Sequence, residues 1–71
     1  MAKNTGKYQL SAEGRRAHRI LCGDLKLISR TNEKEAGVQY EAGDEKSAAE
    51  SMRVAGAAAA DARHLGCKWA L

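Results

Sequence analysis

The stretch from Ser47 to Gly66 constrains the fold most, because it is built almost entirely from alanine and other small residues. Ala48, Met52, Ala55, Ala59 and Ala62 recur at helical spacing and form a narrow face of small side chains. Such a helix buries little apolar area per turn, at about 25 cal/mol per Å². It must lie very close to whatever it packs on, either its own sheet or another chain. Ser47 and Glu50 read as an S-x-x-E capping box, with Asp44 and Glu45 adding negative charge at the positive end of the helix dipole. Arg63 and His64 fall in the last turn, and Gly66 stands where a left-handed cap belongs.

The rest of the chain is read around that helix. Ser11 can cap a short helix over residues 12–22 that stops at Gly23, with a strand through Tyr8, Leu10 and Ala12 as the competing reading. Residues 25–30 alternate, with Leu25 and Leu27 on one side and Lys26 and Arg30 on the other. Residues 38–42 also alternate, with Val38 and Tyr40 opposed to Gln39 and Glu41. Residues 31–37 are polar and end in Gly37, as a hairpin loop would. Cys67, Trp69 and Leu71 alternate as a closing strand, the Trp covering the alanines. The expectation is an α+β fold in the order α-β-β-α-β. A small antiparallel sheet of about three strands would carry the alanine-rich helix on one face. The chain is one domain, residues 1–71, with a flexible segment at residues 1–9. With about a dozen large apolar side chains and no Phe, the core is thin. Oligomerisation, a metal or a disulfide would each help it.

Charge is uneven. Residues 1–30 hold seven Lys/Arg against two Asp/Glu, and residues 31–71 hold five against seven. A bipolar body of this kind suits an oriented encounter with a charged partner. Arg15, Arg16 and Arg19, with Lys26 and Arg30 nearby, are the candidate contacts on the basic pole; Glu33, Glu35 and Asp44 are those on the acidic one. Only three aromatic residues exist, which argues against sequence reading by stacked bases. No apolar leader is visible at residues 1–10, and the alanine run is too short to span a bilayer. A cytoplasmic protein without membrane contact is expected.

The two histidines and two cysteines fall into two pairs, His18 with Cys22 and His64 with Cys67. Together they carry a tetrahedral zinc alternative, although neither pair has knuckle spacing. A Cys22–Cys67 disulfide is a further alternative. The preferred reading is two reduced, small buried thiols, no metal and no cofactor. A Cys–His dyad lacks a recognisable orienting group or oxyanion donor, no glycine-rich phosphate loop is present, and the chain is short for a walled pocket, so no enzyme is expected.

Val38, the run Tyr40-Glu41-Ala42-Gly43-Asp44, Ala48-Ala49-Glu50, the alanine helix and the closing strand together resemble the β-β-α-β plan of small phage-encoded inhibitors, notably some anti-CRISPR proteins. The likeness covers residues 25–71 and is one of plan, without a diagnostic motif. It implies a non-enzymatic inhibitor that covers a nucleic-acid or protein-docking surface on a larger protein or nucleoprotein complex. Separately, the small-residue spacing of Gly56 and Ala60 leaves monomer and homodimer both open. The alternatives are direct nucleic-acid binding through the basic half and a zinc-stapled interaction module.

Overall fold

The computed structural model describes residues 11–71, and the readings made for residues 1–10 lie outside that span. Helix α1 runs Ala12–Glu41, helix α2 runs Glu45–His64, and a 3-10 turn covers Lys68–Ala70. No strand occurs among the described residues. The α+β expectation is therefore wrong: the described residues fold as an antiparallel helical hairpin. Residues 25–30, 31–37 and 38–42, read as strand, loop and strand, lie within α1 or at its C-cap. The proposed closing strand is the 3-10 turn. The β-β-α-β plan behind the likeness to small inhibitors is accordingly absent from the described fold.

The physical reason is visible in what α1 buries. Its buried or half-buried positions include His18, Cys22, Leu25, Ser29, Asn32, Ala36 and Gln39, spaced alternately by four and three. That is the 3.5-residue repeat of a coiled-coil seam. Facing it, α2 buries Ala48, Ser51, Ala55, Ala58 and Ala62, spaced by three and four. The seam contains one large aliphatic residue, Leu25, so a search for apolar periodicity passes over it. Leu27, Val38 and Tyr40, which made the alternation look strand-like, are 67, 59 and 65% exposed, whereas Ala62 is fully buried. The expected core of large side chains is thus replaced by one of small ones.

Polar groups knit the seam where apolar area is scarce. Ser29 Oγ donates to the Ala55 carbonyl at 3.1 Å. Ser51 Oγ donates to Gln39 Oε1 at 2.8 Å. A buried hydroxyl without such a partner would cost about 1–3 kcal/mol.

Both helix ends are set by local chemistry. Ser11 caps α1, its Oγ accepting from Gly14 N at 3.0 Å. Helix α1 then passes through Gly23 and Gly37, each costing about 1 kcal/mol relative to Ala, because the seam on either side holds it. It ends where Gly43 takes φ +85°, with Gly43 N donating to Tyr40 O and Asp44 N donating to Gln39 O. This paired closure reverses the chain in three residues. Asp44 caps α2, accepting from Ser47 N at 3.2 Å, so the cap lies three residues earlier than the expected capping box.

Candidate functional site: a cationic flank and a covalent clasp

The hairpin has an open end, where α1 begins and α2 finishes, and a loop end at Gly43. Residues 11–32 and 54–71 hold seven Lys/Arg against three Asp/Glu; residues 33–53 hold three against six. Antiparallel folding therefore concentrates positive charge at the open end and negative charge at the loop end.

Within the open half the charges also separate by side. Arg16, Arg19, Lys26 and Arg30 follow one another by three, seven and four residues, a single stripe flanking the seam over about 21 Å of helix. All four are exposed, and among the described residues none of them pairs with a carboxylate. The stripe position between Arg19 and Lys26 is Gly23, which leaves that ground flat. Asp24 falls on the opposite flank of α1, and Asp61 lines a hollow there with Leu21, Leu25, His64 and Leu65. Lys68 extends the cationic ground, since it and Arg19 line one shallow hollow at the open end. Arg15 lies beside the stripe on the seam side of α1. The acidic candidates stand apart from it: Glu33 marks the end of the stripe, Glu35 lies further along α1, and Asp44 is occupied as the cap of α2. The two poles therefore do not form one site. Lys68 is the member that the sequence reading missed, because its approach to Arg19 depends on the chain reversal after α2.

That reversal builds the second feature. Gly66, at φ +77°, lets Gly66 N bond to Arg63 O and Cys67 N bond to Ala62 O at 2.9 Å. The chain turns back toward α1, and Cys67 forms a disulfide with Cys22, their Cα atoms 5.5 Å apart. The expectation of reduced thiols is overturned here: 45 residues separate the pair in sequence, and only the hairpin brings them together. Trp69 Nε1 donates to the Cys22 carbonyl at 2.8 Å, so the Trp binds α1 and does not simply roof the alanines. His18 Nε2 lies 2.7 Å from the Leu65 carbonyl. A carbonyl only accepts, which puts a ring proton on Nε2; Cys22 Sγ lies 3.7 Å from Nε2 and 3.8 Å from Nδ1, and in the neutral ring Nδ1 keeps its lone pair. Arg63 Nε donates to Ala70 O at 3.3 Å and steadies the last turn.

Of the four residues in the zinc alternative, His18, Cys22 and Cys67 converge, their donor atoms within 4.8 Å of one another. His64 does not join them; it lines the hollow on the other flank. With the sulfurs joined, neither cysteine is a free thiolate, so the Cys–His dyad has no nucleophile in this state. No described helix is long and apolar enough to cross a membrane. The chain matches no family model, no curated protein and no solved structure.

Proposed function

We propose that this chain is a non-enzymatic binding module that docks its cationic flank on the phosphate backbone of a nucleic acid, free or held within a larger nucleoprotein complex. The observation that carries this reading is the stripe of Arg16, Arg19, Lys26 and Arg30, broken only by Gly23, on one exposed helix flank and extended by Lys68 at the open end. A row of exposed cations along one flank can follow a row of phosphates and displace its condensed counterions. Arginine adds a planar fork that engages two phosphate oxygens at once. Recognition is of backbone and shape. Among the described residues Trp69 is the one aromatic side chain beside Arg19 and Lys68, and Tyr40 stands at the acidic loop end, so there is no row of rings on which successive bases could stack. The negative loop end disfavours the reverse orientation on the same polyanion.

The test is a titration with duplex and with single-stranded oligonucleotides at 50 and 200 mM salt. Four to five phosphate contacts predict a fall in affinity of roughly 10²-fold between those salts. The triple variant Arg19→Glu, Lys26→Glu, Arg30→Glu should abolish binding while its helical circular dichroism is unchanged. Equal binding by the variant, or no binding by the parent chain at 50 mM salt to either oligonucleotide, would refute the reading. Capture of an acidic protein with no affinity for nucleic acid would likewise count against it.

A further inference from the structure

We propose that reduction of the Cys22–Cys67 disulfide turns the clasp into a binding site for a soft, tetrahedral cation of the zinc type. Its protein ligands are His18, Cys22 and Cys67, with solvent in the fourth position. The three donor atoms already lie within 4.8 Å of one another. A cysteine pair whose Cα atoms are 5.5 Å apart leaves room for two thiolates to stand the roughly 3.8 Å apart that two Zn–S bonds of about 2.3 Å require in a tetrahedron.

The histidine supplies the second, independent observation. Its Nε2 proton is committed to the Leu65 carbonyl at 2.7 Å, so the ring is oriented from outside and its Nδ1 lone pair is left for a metal. Metal-binding histidines are held in this way, with one nitrogen on the ion and the other donating to a carbonyl or carboxylate. The site borders a hollow lined by His18, Cys22 and Cys67 together with Arg19 and Lys68; His18 and Cys22 are half-buried there and Cys67 is buried. Zinc and two thiolates are together neutral, which limits repulsion from those cations.

The chemistry balances as follows. A dithiol supplies two electrons and two protons, the S–S bond breaks to give two thiols, and the dithiol closes to its own disulfide. Metal binding then releases two protons as both sulfurs coordinate. The covalent tie between α1 and the segment after α2 is thus exchanged for a coordinate one. His64, on the opposite flank, takes no part.

The full chain would be reduced with a phosphine, desalted without oxygen, checked for two free thiols, and titrated with Co²⁺ alone. The reduced chain should give sulfur-to-cobalt charge-transfer absorption and the visible bands of tetrahedral cobalt, saturating at one equivalent and displaced by Zn²⁺. Zn²⁺ should raise the melting temperature of the reduced chain and leave that of the oxidised chain unchanged. His18→Ala should weaken cobalt binding at least about 10-fold and shift the visible bands; His64→Ala should do neither. Two titratable thiols without tetrahedral bands would overturn the proposal, whether or not the reduced chain stays folded. Identical spectra for the oxidised chain would overturn it, and so would an effect of His64→Ala in place of His18→Ala.

Discussion

The two ends of the hairpin solve the same problem, turning one helix against the other, by opposite means. At the loop end, three residues suffice: a left-handed glycine, two backbone bonds into the last turn of α1, and the Asp44 cap. Sequence proximity makes this closure nearly free of loop entropy. At the open end the partners are 45 residues apart, and the chain uses a disulfide, an indole bond and a histidine bond to join them. The difference teaches where stability resides. A seam of alanine and serine leaves α1 and α2 weakly bound by area alone, so the end that chain connectivity does not close must be closed by chemistry.

That contrast can be tested in order of expected effect. Removing the covalent tie, by Cys22→Ala with Cys67→Ala, should destabilise the chain most, by about 4 kcal/mol for a loop of this length. The measurement is urea unfolding followed by circular dichroism, and a loss under 1 kcal/mol would erase the distinction between the ends. Overfilling the seam between them should come next. Ala55, 2% exposed, changed to Leu should cost about 1–3 kcal/mol, read in the same assay; a gain in stability would mean that the helices are not held at close approach. The loop end should be the most forgiving. Asp44→Ala removes one cap bond and should cost about 1 kcal/mol, seen as a small drop in the denaturation midpoint with unchanged slope. If that substitution rivalled loss of the disulfide, the loop would be the principal fastening.

How much of this was legible in the residues follows from the same physics. The alanine helix, its close packing, the Ser11 cap and the Gly66 reversal were readable, because each depends on chemistry within a few positions. Helix α1 beyond Cys22 was not. Its seam is made of Ser29, Asn32, Ala36 and Gln39, residues that carry little hydrophobic signal, while Leu27 and Val38 lie in the open and mimic strand alternation. The basic candidates Arg16, Arg19, Lys26 and Arg30 were visible as a cluster. Their alignment into one stripe needed the uninterrupted helix, and the addition of Lys68 needed the turn after it. With two cysteines the pairing was never in question, but the disulfide was one state among three, beside free thiols and zinc ligands, since nothing near Cys22 places Cys67 against it.

One consequence of the alanine seam concerns movement along the helix axes. Identical methyl knobs at Ala48, Ala55 and Ala62 repeat every seven residues, so sliding α2 by one heptad presents nearly the same profile to α1. Shape therefore does little to index the two rods. The index marks are polar and covalent: Ser29 on Ala55, Ser51 on Gln39, and sulfur on sulfur. The three-residue turn at Gly43 already limits travel at one end, and these three marks set the index along the rest of the rods.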